Sequence, residues 1–287
     1  MPELPEIEIV KRSLFKMING TKILNIKINN NKLRYKIPSN FSKSLTGEKI
    51  LNISRRSKYI IFYFKEKILL IHFGMTGKFL IFRKRDNIVF KTSFYYNLDI
   101  IPKHNHIYFK LNNDLLLIYN DVRRFGFFKL YNKKEINKIS FIKKLGLEPF
   151  SKKFTLEYFT KFTQNRKKNV KNLLMDQTFI SGLGNIYVNE ALYMSKIHPL
   201  RTCSRLKKKE IEKLIKNVKK VLNLSISKGG SSIKDFKNTL GKKGNFQQLF
   251  SVYGRENKKC SRISCKGKVI KIYISNRSSY YCNKCQK

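Results

Sequence analysis

Leu4, Ile7, Val10, Leu14 and Met17 recur at helical spacing over residues 3–17, which predicts an amphipathic helix at the start of the chain. The period then changes. Short runs rich in Ile, Phe and Tyr recur at Ile23–Ile28, Tyr59–Phe64, Ile68–His72, Phe79–Phe82, Ile107–Leu111, Leu115–Tyr119 and Phe127–Tyr131. Gly, Asn and Asp punctuate them, as at Asn112-Asn113-Asp114. This pattern predicts strands joined by hairpins into a β-sandwich. Past Leu145-Gly146-Leu147-Glu148-Pro149 the helical period returns at Thr155–Phe162, Val170–Met175 and Ile186–Met194. It is clearest at Lys207–Leu222, where Ile211, Leu214, Ile215, Val218, Val221 and Leu222 share a face. Residues Lys228–Phe246 are rich in Gly, Ser and Lys and predict a mobile loop, and a last unit begins near Gly254. The expected organisation is α+β in three parts: 1–132, 133–250 with the loop at about 228–246, and 251–287.

Charge adds a partner. The 287 residues carry 62 Lys+Arg against 18 Asp+Glu, a formal net charge of +44. Such an excess points to a polyanion, nucleic acid first, although abundant Lys, Asn, Ile, Phe and Tyr is also what AT-rich coding produces. No apolar run approaches the roughly 20 residues that span a bilayer. The opening Met1-Pro2-Glu3-Leu4-Pro5-Glu6 is unlike a signal peptide. A soluble cytoplasmic protein with no membrane partner is the expectation.

Two local patterns carry chemistry. Cys260-x4-Cys265-x16-Cys282-x2-Cys285 places two thiol pairs around the β-prone stretch Val269–Ile274. Four thiolates can close a tetrahedral site for one structural Zn2+, and so small a hairpin needs a metal to supply its folding energy. Arg277 falls in the predicted turn between the pairs, where it can reach a polyanion; Cys203 stands apart as a bystander. At the other end, removal of Met1 would expose the secondary amine of Pro2. Such an amine attacks an aldehyde-like carbon and leaves an iminium. Glu3 and Glu6, three apart, could supply acid–base function beside it. From these six residues alone, a simple helix start with Pro and carboxylates in the first turn is the better explanation of the pattern.

Read together, the motifs resemble one family. The opening hexapeptide, Arg56-Ser57-Lys58-Tyr59, Ile71-His72-Phe73-Gly74-Met75-Thr76-Gly77, Lys103-His104-Asn105-His106 and Asp121-Val122-Arg123-Arg124-Phe125-Gly126 occur in the order found in the formamidopyrimidine-DNA glycosylases. So do Asp176-Gln177, Gly182-Leu183-Gly184-Asn185-Ile186-Tyr187, Glu190, His198-Pro199, Gly229-Gly230, Val252-Tyr253-Gly254-Arg255 and the four cysteines. The resemblance spans essentially the whole chain. It implies a β-sandwich catalytic domain with a leading helix, a helix–two-turn–helix (H2TH) domain and a zinc-finger hairpin, with damaged duplex DNA lying between the two larger parts.

The resemblance also implies roles. Pro2 would be the nucleophile at C1′ and Glu3 its acid–base partner, while Lys58 and Arg277 would assist β- and δ-elimination at the phosphates. A flipped-out base leaves a hole, which Met75, Arg123 and Phe125 would fill. His72, His104, Lys167 and Asn185 match DNA-contact positions, the last at a helix N-terminus suited to a phosphate. Glu6 would hold the helix start and Glu190 would belong to the surround of the active site. The loop at 228–246 would close over the lesion. The family expectation is a monomer without a small-molecule cofactor, acting on oxidised purines in base excision repair. Departures are the four-residue spacing of the first Cys pair, where two is usual, Asn105 in place of Asp and Val122 in place of Pro. Alternatives are the oxidised-pyrimidine branch typified by endonuclease VIII, against which Leu4 and the Asp121–Gly126 motif speak, and a zinc-containing DNA-binding protein that has lost catalysis.

Overall fold

The computed structural model of the protein describes residues 1–83, the backbone course of 88–91, and residues 101–164, 166–230 and 249–287. It divides into two compact units. The first holds residues 1–143 together with Gly229 and Gly230; the second holds residues 144–228 and the described residues 249–287. Most of the predicted loop 228–246 lies outside the described residues. Among the described residues no helix is long and apolar enough to cross a membrane.

In the first unit α1 (Leu4–Ile18) opens the chain. Glu3 is its N-cap, and the Glu3 N–H donates to the Glu6 carboxylate at 2.9 Å in a capping box, with proline in the first turn. Leu4, Ile7, Val10, Leu14 and Ile18 form the buried stripe. Nine strands follow, β1 (Ile23–Ile28), β2 (Asn52–Arg56), β3 (Tyr59–Tyr63), β4 (Lys67–His72), β5 (Lys78–Arg83), β6 (Ile88–Lys91), β7 (Asn105–Leu111), β8 (Leu115–Asn120) and β9 (Phe127–Asn132), with a short α2 (Phe41–Leu45) after β1. They pair antiparallel into a five-stranded sheet of order β1-β7-β8-β5-β6 and a four-stranded sheet of order β2-β3-β4-β9. The α1 stripe and the inward residues of both sheets, among them Phe62, Phe79, Phe109, Tyr119 and Phe128, make one core.

Ile61, Ile68 and Leu70 face the other way. They are covered by Ile136 in the 3-10 turn Lys133–Lys138, by Phe141 and Ile142 in the short α3 (Ser140–Lys143), and by Ile139 between the two. This cover explains why the first unit continues past residue 132.

The second unit contains α4 (Leu156–Thr163), α5 (Val170–Met175), α6 (Asn185–Ser195), α7 (Lys208–Ser227) and the hairpin of β10 (Val269–Ile274) with β11 (Arg277–Cys282). Thr155 and Asn169 cap α4 and α5 through their side-chain oxygens. Helix α6 is buried on nearly every face, whereas α7 is amphipathic. The hairpin packs against α6 instead of standing as a separate body. Its two-residue turn, Ser275-Asn276, has φ of 47° and 57°, as a type I′ turn requires. Arg277 is therefore the first residue of β11, just past the turn.

One ion pair fixes the start of α1 against the sheet. Arg55 Nε donates to Glu8 Oε2 at 2.9 Å, and the same guanidinium donates to Ser57 O at 2.9 Å, in the β2–β3 turn. Both side chains are largely buried. Burial pushes the Glu8 carboxyl up, but the Arg55 and Arg12 guanidiniums outweigh it and hold it below the usual range. A depressed carboxyl stabilises the fold above its unfolded value and loses that contribution as pH falls through the folded value. Glu8→Gln is thus expected to cost about 1–3 kcal/mol at pH 7. The difference from the parent should shrink below about pH 4. Urea midpoints at pH 7 and pH 3 measure both.

Candidate active site and nucleic-acid interface

The amine end is built first by α1. Met1 is exposed, while Pro2, Glu3 and Glu6 are buried. Burial, the largest influence, holds the α-amine at this end below its ordinary value; Glu3 and Glu6 oppose the shift, and Lys58 and Arg123 add to it. Those four side chains therefore share the field of the chain start. Lys58 is presented by the β2–β3 hairpin, whose two-residue turn is Ser57-Lys58. Ser57 takes φ 56°, a left-handed conformation that is costly for a residue with a Cβ, and the Arg55 bond to its carbonyl helps hold it. Lys58 is itself buried. Gly230, with φ of 86°, sits against the helix start, where an added Cβ would lie 3.4 Å from Glu6 Oε1. The root of the loop expected to cover a lesion is thereby placed beside Glu6.

Two loops form the second feature. Met75 is 38% exposed and Phe125 43%, so neither is a core residue. Arg123 joins them: its Nη1 lies 3.0 Å from Met75 Sδ and its guanidinium 4.6 Å from the centroid of the Phe125 ring. The cause of this convergence is Asp121, which has no exposed surface. Its carboxylate accepts from Thr76 Oγ1, from Tyr119 Oη at 3.1 Å and from Gly126 N at 2.8 Å. Thr76 Oγ1 also accepts from Arg123 N at 3.0 Å. Glycine is required where the loops cross. A Cβ on Gly74 would fall 2.6 Å from Gly126 N, and one on Gly126 would run into the Tyr119 hydroxyl. Beside these three side chains, Lys32, Leu33, Arg34, Arg123, Arg124 and Phe125 line an open pocket of about 660 Å³, whose four cations suit an anion.

The histidines differ from one another. His104 is partly exposed, and its carbonyl accepts from Asp121 N at 3.0 Å. Asn105, the departure from Asp, is buried and accepts from Asn120 Nδ2 at 2.7 Å. His106, which sequence reasoning gave no role, is buried and its Nε2 donates to Asp121 O at 2.7 Å. His72 packs on Tyr59 and Phe127. Burial first, then Lys58 and Arg34, lower it to about 4.

The second unit carries Lys167, Asn185, Arg277 and the cysteines. Lys167 is exposed between α4 and α5, and Arg277 is exposed on β11. Asn185 is the first residue of α6, after Gly184 as N-cap, and the side chain of Gln177 braces the preceding turn by accepting from Gly182 N and donating to Leu183 O, each at 2.8 Å. The Asn185 amide is turned toward the hairpin, donating to Ser278 O at 2.8 Å. Lys171 was not foreseen. It is a buried lysine on α5 whose Nζ bonds Ser279 Oγ, and burial, with help from Arg277, lowers it to about 8. Glu190, also buried, accepts from the N–H groups of Ser251, Val252 and Tyr253 at 2.9, 3.0 and 2.9 Å. It organises the segment leading to the cysteines.

Cys260, Cys265, Cys282 and Cys285 converge, all four sulfurs lying within 4.8 Å of one another. The Cys260–Cys285 and Cys265–Cys282 separations are 3.9 and 3.6 Å. A tetrahedron with ~2.3 Å metal–sulfur bonds has an edge of about 3.8 Å, so the cluster fits a metal ion despite the wider first pair.

One charge state is directly measurable. Gly74 N donates to His72 Nδ1 at 3.1 Å, which leaves the proton on Nε2. His72 can therefore offer a hydrogen-bond donor but no positive charge at neutral pH. Because its folded value lies below the unfolded one, acidification from about 6.5 downward removes stability. Nitrogen-15 spectra should show a neutral Nε2–H ring at pH 6 with a midpoint near 4; an imidazolium at pH 6 would contradict this.

Comparison with known proteins agrees with this geometry. The profile of the formamidopyrimidine-DNA glycosylase N-terminal domain matches residues 1–128, and that of the family's H2TH domain matches residues 145–237. Formamidopyrimidine-DNA glycosylases of Bartonella tribocorum and Rickettsia massiliae are each 40% identical over all of this chain, with 100% and 97% of their own lengths covered. Among solved structures, a Lactococcus lactis mutant of this enzyme in complex with DNA containing Fapy-dG superposes with a TM-score of 0.85 at 35% identity, both chains fully covered. The wild-type Lactococcus lactis protein with DNA containing an oxidised pyrimidine gives 0.84 at 34% identity, again with both chains fully covered. The chain belongs to the formamidopyrimidine-DNA glycosylase family.

Proposed function

We propose that this protein is a bifunctional DNA glycosylase and AP lyase that removes oxidised purines from duplex DNA in base excision repair. The observation that carries the reading is the buried, charge-ringed chain start in the same compact unit as an exposed wedge. After loss of Met1, the Pro2 nitrogen becomes the chain's amine, next to the Glu3 side chain and near Glu6, Lys58 and Arg123. It attacks C1′ of the damaged nucleotide. The base departs with the glycosidic electron pair and the nitrogen becomes an iminium, with Glu3 delivering a proton to the opening sugar. The iminium acidifies the C2′ hydrogen, so that the 3′ and then the 5′ phosphate can leave by β- and δ-elimination. Lys58 and Arg277 are assigned to these phosphates.

Met75, Arg123 and Phe125 fill the space left by the flipped nucleotide, with Arg123 donating to the orphaned base. His72, His104, Lys167 and Asn185 hold the backbone. Zn2+ is the ion assigned to the four cysteines, which hold the hairpin bearing Arg277. The segments 1–132, 133–250 and 251–287 then supply in turn the chemistry, the backbone grip and the hairpin. The protein acts in the cytoplasm as a monomer on its DNA, with no small-molecule cofactor. A second reading, action on oxidised pyrimidines, is favoured by the Lactococcus lactis complex with such a lesion.

Incubation with a duplex bearing 8-oxoguanine opposite cytosine, with borohydride added, is expected to trap a covalent adduct that Pro2→Gly abolishes. Absence of both adduct and strand cleavage with folded, metal-loaded protein would overturn the proposal. A parallel duplex with an oxidised pyrimidine ranks the two substrate classes.

A further inference from the structure

Helix α6 carries three polar side chains at intervals of four, Asn185, Asn189 and Tyr193, which a helix places on one face. All three are committed to the cysteine-bearing segment. Asn185 Nδ2 donates to Ser278 O at 2.8 Å, Asn189 Oδ1 accepts from Tyr280 N at 2.7 Å, and Tyr193 Oη lies 3.2 Å from Cys260 Sγ. The Tyr193 ring is buried among Val252, Cys260, Val269 and Cys282. Its hydroxyl therefore has a sulfur for a partner.

Arg262 closes this arrangement from the other side. It is the second of the four residues that separate Cys260 from Cys265. Its guanidinium lies 4.6 Å from the centroid of the Tyr193 ring, and its Nη2 donates to Tyr193 O at 2.6 Å and to Met194 O at 3.4 Å. These are carbonyls of the last turn of α6, where intrahelical donors run out and a cation is favoured. Ser261 anchors the same loop, accepting from Arg255 Nη1 at 2.7 Å and donating to Ser251 O at 3.3 Å. The next residue, Ile263, is fully exposed. The widened Cys pair is thus a docked loop whose first half grips the end of α6.

We propose that Tyr193 is the outer-sphere hydrogen-bond donor to the Cys260 thiolate of the zinc site, and that Arg262 is the positioning residue that holds the Tyr193 ring in place to donate. Four thiolates around one divalent ion leave two excess negative charges in a largely buried setting. Donors to sulfur disperse that charge. Gly267 N supplies one, at 3.4 Å from Cys265 Sγ, and Tyr193 supplies a second. The inference rests on the zinc reading above.

The test uses full-length protein loaded with zinc or with cobalt(II). Tyr193→Phe removes only the hydroxyl. Loss of an outer-sphere partner typically lowers metal affinity about 10–100-fold. Zinc transfer to a chromophoric chelator should therefore be faster by about that factor in Tyr193→Phe. The thiolate-to-cobalt charge-transfer band should shift as well, a change that loosened packing alone would not produce. Arg262→Ala should show the same direction with a smaller effect, Arg262→Lys should recover part of it, and Ile263→Ala should behave as the parent. If the parent gives the four-thiolate cobalt spectrum and Tyr193→Phe alters neither that band nor zinc release, this inference is wrong and the zinc reading stands. If the parent binds neither metal through four thiolates, both fall.

Discussion

A single buried carboxylate, Asp121, holds together the exposed loops to which the proposed function gives the contact with the double helix. Three donors from three segments converge on it: Thr76 from the β4–β5 loop, Tyr119 from β8 and the Gly126 N–H from the β8–β9 loop. A charge without solvent is tolerable only when its lone pairs are taken, and here the required donors dictate where two loops must cross. The glycines at 74 and 126 allow that approach, and Met75, Arg123 and Phe125 are left facing solvent as its consequence. Exposure of large apolar side chains costs free energy, and Asp121 keeps them exposed by fixing the loops that carry them. The His104 carbonyl and the His106 imidazole extend the same anchor by bonding the Asp121 backbone N–H and carbonyl.

The chain start is positioned by other bonds. The capping box fixes Glu3 and Glu6, and the Arg55 bonds to Glu8 and Ser57 tie α1 to the turn that presents Lys58. In the second unit α6 plays the corresponding part. Its first turn offers the site expected for a phosphate, its middle holds Glu190, and its last turn receives Arg262. One buried helix thus sets the registry of hairpin, cysteine cluster and Arg277.

Much of this was legible in the sequence because it depends on local spacing. The apolar period places α1, α5 and α7 within a few residues, and the thiol spacing anticipates the cluster. Strand β2 escaped because Asn-Ile-Ser-Arg-Arg buries only Ile53 and reads as polar. The roles of Asp121, Glu8, Lys171 and Tyr193 escaped for another reason. Each is defined by a partner far away in the chain, such as Ser279 for Lys171 or Cys260 for Tyr193, and no window of sequence contains both. Met75 and Phe125, which by composition suit a core, are exposed because of the Asp121 network, and only the family pattern anticipated that.

The claim at the centre of this account is that wedge and amine are separable devices, the first held by Asp121. Asp121→Asn preserves volume but replaces an acceptor for Tyr119 and Gly126 with a donor. On duplex DNA carrying a lesion the variant is predicted to lose about ten- to a hundredfold in base excision, the equivalent of ~1.5–3 kcal/mol for one charge-assisted hydrogen bond. On a single-stranded abasic substrate, where no stack has to be opened, borohydride trapping should proceed at the rate of the parent. Equal losses on both substrates, or no loss on either, would contradict the account.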